Sequence, residues 1–290
     1  NAARLQRLGR YSRAQLQALR KETGIQYDQA ARGILVLYTG GRRFEPGMKT
    51  PDECVALEPA LAPMKNRLVG GRMYPEDESG DAYKFTVGLA KLCEANGVGF
   101  DFGVSIERLL TENGKITAVK TPTGSIQADA FVLALGSYSP LLARPLGIDL
   151  PIYPLKGYSV TMPVKNPAAA WSVSLSDEAH KLVLSRLGDR LRIAGTAELN
   201  GYNMEINTVR CKAIVKRVST LFPDAGDATQ AQFWAGLRPA TPTNLPCLGY
   251  TKYRNLFLNT GHGTLGWTHA CGSGRILADL VSGRRPEIDL

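Results

Sequence analysis

The spacing of apolar residues divides the chain into elements before any chemistry is considered. In residues 1–22, Leu5, Leu8, Leu16 and Leu19 share one face, and Arg4, Arg7, Arg10 and Arg13 lie on a neighbouring stripe. This predicts an amphipathic helix, stopped by Gly24. Residues 33–38 read as a strand. Residues 39–51, rich in Gly, Pro and basic residues, read as a loop. Pro51 opens a short helix over 51–58, and 68–74 is a second strand. Asp81 is a good N-cap for a helix over 82–96 that carries Phe85, Leu89 and Leu92 on one face and closes at Gly97. Residues 98–102 are then expected as a strand. Asn113-Gly114 and Thr123-Gly124 punctuate a meander of hairpins. The continuous apolar run at 130–135 predicts a strand buried on both faces.

The second half is richer in strands. Residues 157–162, 181–185 and 191–194 read as strands, with a turn at Gly188-Asp189. Residues 204–222 read as a helix carrying Val209, Val215, Val218 and Leu221, and 233–238 as a strand followed by a loop over 239–245. Last come an apolar strand at 255–260, a glycine-rich turn at 261–266 and an apolar helix reaching 281. The order is α/β, then β with one helix, then βα. That order predicts two interleaved domains, not two consecutive ones.

Composition narrows the class of protein. The chain has 290 residues, 44% of them hydrophobic and 21% charged, with a formal net charge of +9. This is the balance of an ordinary globular chain, with no apolar run long enough to span a bilayer and no apolar leader. The sequence does not begin with Met and is expected to be a fragment or a processed product. Five scattered cysteines and three histidines argue against a metal site or a disulfide framework. The positive charge favours anionic partners. Without basic runs interleaved with aromatics, nucleic acid ranks low among them.

Candidate chemistry gathers at the C-terminal turn. Gly261, Gly263 and Gly266 satisfy G-x-G-x-x-G between a strand and a helix. Glycines let a ligand approach the backbone, and a helix N-terminus offers free N–H groups to negative charge. An ordinary dinucleotide fingerprint opens a βαβ unit and has an acidic residue about 20 positions later. Here the pattern comes near the end of the sequence, so it is read as a ligand turn of another kind.

Four blocks give the chain a resemblance: ALGSYSP at 134–140, YPLKGYSV at 153–160, GLRPATP at 236–242 and NTGHGTLGWT at 259–268. The chain resembles the D-amino-acid oxidase superfamily of flavoproteins, and within it the bacterial dehydrogenase branch. The resemblance implies an α/β fold in which an incomplete FAD-binding, Rossmann-like domain (1–22, 77–145 and 250–290) lacks its first βαβ unit. Interleaved with it is an α+β substrate domain (23–76 and 146–249) on a mixed, largely antiparallel sheet. The family opens with a strand and an FAD-binding glycine loop that this sequence does not contain, and it is longer near residues 40–51.

The resemblance also implies an activity and a site. D-Alanine-like D-amino acids would be oxidised to 2-oxo acids and ammonia, with hydride passing from Cα to flavin N5 and electrons onward to a quinone or respiratory-chain acceptor. The cofactor carries the chemistry, so no catalytic side chain is assigned. Arg238 matches the arginine that clamps the substrate carboxylate, and Tyr158 is a candidate pocket residue, with Lys156 on the same strand face read as a solvated lysine. Gly261, His262, Gly263, Thr264, Leu265, Gly266 and Thr268 match the turn at the pyrimidine side of the flavin ring. Val104, Ala134 and Gly136 match main-chain contacts to the adenosine half. No cysteine falls within 261–268, so FAD is expected to be non-covalent. A basic chain of this branch is expected at the cytoplasmic side, in peripheral contact with an anionic inner membrane. The alternatives are a glycine, sarcosine or proline oxidase or dehydrogenase on the same scaffold, and a truncated remnant that binds no FAD.

Overall fold

The structure is a computed structural model and describes residues 1–40 and 43–289. The expected loop over 39–51 includes Gly41 and Arg42, which lie outside the described residues. In chain order the elements are α1 (Ala2–Thr23), β1 (Ile34–Thr39), α2 (Pro51–Leu57), β2 (Leu68–Tyr74), α3 (Ala82–Ala95), β3 (Arg108–Glu112), β4 (Lys115–Thr121), β5 (Gly124–Ile126) and β6 (Phe131–Leu133). They continue with α4 (Ser139–Ala143), β7 (Tyr153–Pro163), β8 (Ser174–Asp177), β9 (Leu182–Leu187), β10 (Arg190–Leu199), α5 (Thr208–Leu221), β11 (Gln232–Ala240), β12 (Cys247–Tyr250), β13 (Leu256–Thr260) and α6 (Gly266–Val281).

Local chemistry sets many of these limits. Gly24 ends α1 in the left-handed conformation, returning its N–H to the Arg20 carbonyl. The Asp81 side chain accepts hydrogen bonds from the Tyr83 and Lys84 amides and starts α3. Thr50 and Glu53 form a reciprocal capping box on α2. Asn207 caps α5, which is why that helix starts at Thr208 and not at 204.

Among the described residues the strands form three sheets. The largest runs β11-β7-β10-β9-β8-β1-β2. It is antiparallel except where β1 lies parallel to β8. Side chains alternate across it. Tyr158, Val160 and Met162 of β7 share one face with Leu191 and Ile193 of β10, Leu182 and Leu184 of β9, and Leu35 and Leu37 of β1. That face is buried under α5, through Cys211, Ile214 and Val218, and under α2 with the 3-10 turn after it, through Cys54, Leu61 and Met64. The opposite face is small and polar near β7, with Gly157, Ser159 and Thr161.

A second sheet, β12-β13-β6, pairs β13 parallel with β6 and antiparallel with β12. This pairing draws Cys247 into the small sheet, ahead of the boundary expected at 250. Phe131, Leu133, Leu256 and Leu258 bury its apolar side against Ile116, Leu146 and Leu150. The third sheet, β3-β4-β5, turns at Asn113 and Gly114, which both have positive φ. Asn255 staples these two sheets: its side chain bonds both the N–H and the C=O of Ile116, at 2.8 and 2.9 Å. A cluster of three rings ties the helices together. Phe85 of α3 stands edge-on to Tyr27 and to Trp267 of α6, each at 5.3 Å.

Two expectations from sequence are corrected. Residues 98–102 are not a strand: Phe100 and Phe102 stack on each other in an exposed segment with no ladder partner among the described residues. Apolar content alone does not make a strand without a neighbour to take its N–H and C=O groups. The run 130–135 is not buried on both faces. β6 is an edge strand of three residues, and Val132 and Leu135 are exposed. Two strands were not foreseen: β8, in which three of the four residues are serine or aspartate, and β12, which is short.

Glu58 anchors the large sheet. Its buried carboxylate accepts the Ser172 amide at 2.6 Å, the Val173 amide at 2.8 Å, the Ser172 hydroxyl at 3.1 Å and the Ala60 amide at 3.1 Å. Removing it would leave several donors unpaired out of water. Glu58→Ala is therefore expected to lower unfolding free energy by about 3 kcal/mol, whereas a surface change such as Glu22→Ala falls within about 0.5 kcal/mol. Urea denaturation of the two variants checks this.

Candidate functional site

The site is built where the last residues of β11 pass between two glycine turns. One turn follows β6 and begins with Gly136 (φ 55°); the other follows β13 and contains Gly261 (φ 76°) and Gly263 (φ 54°). β6 and β13 are parallel, so both turns open at the same end of the small sheet. Hydrogen bonds lock them together. The Thr260 hydroxyl donates to the Gly136 carbonyl at 3.1 Å and lies 2.9 Å from the Ser139 hydroxyl. Ser137 then donates to the Leu237 carbonyl of β11 at 3.2 Å. A methyl group placed on Gly136 would touch Pro239, and one on Gly263 would touch Ala240.

Arg238 comes just before this joint. Its guanidinium lies over Gly157 of β7, where an added methyl group would stand 1.8 Å from Nη1. Nη1 donates to the Thr196 carbonyl at 3.4 Å. Among the described residues no carboxylate pairs with it, and burial pulls its pKa below the ordinary arginine value. A half-buried cation with no anion marks a place where an anionic group binds with gain. Next to it the Trp234 indole folds over Gly236, and the guanidinium of Arg192 stacks on that ring at 5.4 Å.

Tyr158 is not brought to Arg238. Arg238 faces Leu155 across the ladder, whereas Tyr158 faces Ala235, so the two side chains leave opposite faces of the sheet. The Tyr158 hydroxyl donates to Glu198 beneath α5. Lys156 is buried beside it, donating to the Glu205 carbonyl at 3.0 Å and pairing with Glu198 at 3.4 Å. The expected solvated lysine is thus a core ion-pair residue.

The C-terminal turn leads into α6, whose first amides carry no side-chain cap. They present the positive end of the helix dipole to whatever lies in front of them. Leu265 and Thr268 line a cavity of about 590 Å³ together with Gly9, Trp267, His269 and Tyr74. This is the size of small-molecule and cofactor sites. His269 is buried and its Nδ1 has no partner among the described residues. The cavity walls mix apolar residues such as Leu5, Leu16 and Ile34 with the charged side chains of Arg10, Arg13, Glu76, Asp77 and Glu78, a lining that suits a large polar cofactor with an apolar part. Thr264 is exposed. Ala134, two residues before Gly136, faces solvent, as does Val104. His262 points back into the protein, its Nε2 2.9 Å from the Ser273 hydroxyl. Burial, with His269 nearby, pulls its pKa down to about 4 and keeps it neutral.

Trp234, Arg192, Gly157, Gly236 and Thr196 were not singled out in the sequence. The GLR block lay in view, but which strand lies beside it is a matter of register.

A cofactor-sized cavity against the start of α6 and, separately, a half-buried guanidinium with no carboxylate partner among the described residues on a broad antiparallel sheet suit an α/β oxidoreductase that works on a bound organic cofactor. The chain belongs to the FAD dependent oxidoreductase family, whose match spans residues 1–280. It is 53% identical over 305 residues to a D-amino acid dehydrogenase of Paramagnetospirillum magneticum, covering 100% of this chain and 72% of that relative. It is 50% identical over 307 residues to a D-amino acid dehydrogenase of Dechloromonas aromatica, covering 99% and 73%. Its fold is similar to that of glycine oxidase from Geobacillus kaustophilus, with a TM-score of 0.84, 24% identity and coverage of 96% of this chain and 79% of that one.

His262 generates a pH prediction. Its folded pKa of about 4 lies below the ordinary 6.5. As pH falls from 6.5 toward 4, the unfolded chain takes up a proton that the folded chain refuses, so stability is lost across that window. His262→Gln keeps a partner for Ser273 and removes the titration. The acid-side fall in urea midpoint is expected to be shallower in that variant than in the parent.

Proposed function

We propose that this chain oxidises D-amino acids of the D-alanine type to imino acids, which water hydrolyses to 2-oxo acids and ammonia. The observation that carries the reading is Arg238: an unpaired, half-buried guanidinium beside the two glycine turns of an FAD-dependent family member. The names of its relatives support the D-configuration. When bound, FAD would supply the two-electron oxidation, taking up the hydride lost from the substrate Cα. The chain's own part is placement. The Arg238 fork grips the α-carboxylate bidentately and limits the arc through which Cα can swing. The turn at 261–266 and the first amides of α6 would help hold the flavin and offer positive potential to negative charge on it.

Non-covalent FAD is favoured by the nearby thiols. Cys271 on α6 is pushed up to about 11 by burial, and Cys247 is raised for the same reason. Such protonated thiols are poor nucleophiles. The acceptor we propose is a quinone or another respiratory-chain component, reached at the cytoplasmic side of an anionic membrane. Arg4, Arg7 and Arg10 are exposed along α1 and support that contact. Arg13 and Arg20 are engaged by Glu76 at 2.6 Å and Glu78 at 2.8 Å.

The FAD-loaded protein under anaerobic conditions tests the reaction. D-Alanine is expected to bleach the flavin band, and L-alanine, glycine and L-proline to leave it largely intact. Arg238→Ala should raise KM for D-alanine by roughly a hundredfold, the loss of a charge-assisted pair. A protein that takes up no flavin, or an Arg238→Ala variant with unchanged KM, would overturn the reading. Flotation with vesicles tests the membrane contact: anionic vesicles should carry the protein at low salt and release it at high salt, and Arg4, Arg7 and Arg10 changed together to Gln should abolish flotation.

A further inference from the structure

We propose that Gly157 and Thr196 are positioning residues for Arg238: together they seat its guanidinium flat on the sheet and fix the direction of its fork. The inference rests on the reading of Arg238 as the carboxylate clamp and goes on to say what makes that clamp rigid.

The seat is a hole left by a missing side chain. A methyl group on Gly157 would fall 1.8 Å from Nη1, 2.1 Å from Cζ and 2.3 Å from Nη2 of Arg238. The guanidinium therefore occupies the volume that any other residue would fill. Gly157 pairs across the ladder with Gly236, whose own side-chain volume is filled by the Trp234 ring at 2.1 Å. Guanidinium and indole thus lie side by side on two opposed glycines.

The stop is a β-bulge. Gly195 pairs with Tyr158 and Ala197 with Gly157, which leaves Thr196 as the extra residue of β10. Thr196 has φ 56°, a conformation that a β-branched residue rarely adopts. Its Oγ1 is buried with no partner among the described residues, so no bond of the side chain explains the strain. A bulged residue is released from the ladder, and here its carbonyl is free to accept Nη1 of Arg238 at 3.4 Å. The remaining donors of the fork have no partner among the described residues. A planar cation held on its face by Gly157 and at one edge by Thr196 presents its other edge in a fixed direction. Strained backbone concentrates at sites where such direction matters.

A double-mutant cycle on the FAD-loaded protein tests this, with KM for D-alanine and the inhibition constant for propionate as readouts. Propionate probes carboxylate binding without turnover. Gly157→Ala is expected to raise both by about tenfold or more, as the loss of one good charged hydrogen bond would. In an Arg238→Lys background the same substitution is expected to change them by less than about twofold, because a lysine has no planar fork to displace. Equal factors in the two backgrounds would show an ordinary packing role and overturn the inference. If Arg238→Lys weakens propionate while Gly157→Ala does nothing, this inference fails alone. If Arg238→Lys leaves propionate binding unchanged, the clamp reading fails and takes the inference with it. Deleting Thr196 is the second variant, since it restores a regular ladder with the same residue pairs. It is expected to weaken propionate while the thermal midpoint holds or rises; unchanged propionate binding would overturn the role given to Thr196.

Discussion

The architecture depends on one joint, where the Gly136 turn, the Thr260 hydroxyl and the last residues of β11 are held by a short relay of hydrogen bonds. Each bond contributes only about 1 kcal/mol net. Their geometric effect is larger. They fix the large sheet, which carries Arg238, relative to the small sheet, which carries the two glycine turns. In an enzyme a misplacement of about 1 Å between reacting groups slows the reaction severely, so a joint of this kind bears more on rate than on stability. It also explains the glycines around it. Gly136 and Gly263 flank Pro239 and Ala240 closely, and both adopt positive φ.

Much of the fold was legible because its signals are local. Asp81 and Gly24 mark helix ends by satisfying backbone groups a few residues away. Asn113-Gly114 forces a hairpin by its own conformational preference. The strand, turn and helix at the C-terminus were readable for the same reason. What failed was non-local. The segment 98–102 has the composition of a strand, but a strand is defined by its neighbour. The polar β8 has the neighbours β1 and β9 without the composition. Sequence offers no local trace of such pairing.

The candidate site divides along the same line. Arg238 and the turn at 261–266 stood out, since a basic residue at a strand end and a glycine-rich strand-to-helix turn carry their chemistry in their own spacing. Tyr158 is a candidate pocket residue in sequence, yet the ladder puts it on the face opposite Arg238. A shift of one residue in register would have reversed that outcome. Gly157 meets Arg238 across 81 positions of sequence only because β7 and β11 align as they do, and the bulge at Thr196 has no signature in residue type. Lys156 read as solvated because an isolated lysine normally is; Glu198 and Glu205, supplied by β10 and the loop after it, change that.

The order of strands has a consequence for synthesis. β13 is the middle strand of its sheet although it is the last strand in sequence, and β6 must wait for it. The helix pair behaves in the same way. The Ser12 hydroxyl of α1 accepts the Gly272 amide of α6 at 3.0 Å, across 260 positions. A ribosome adding about 5–20 residues per second needs on the order of tens of seconds to cover that span. Throughout that time the side of α1 that meets α6 has no permanent cover. The nascent chain therefore carries an amphipathic helix whose α6-facing side stays uncovered until α6 is made, which makes it a natural client for chaperones that bind exposed apolar segments.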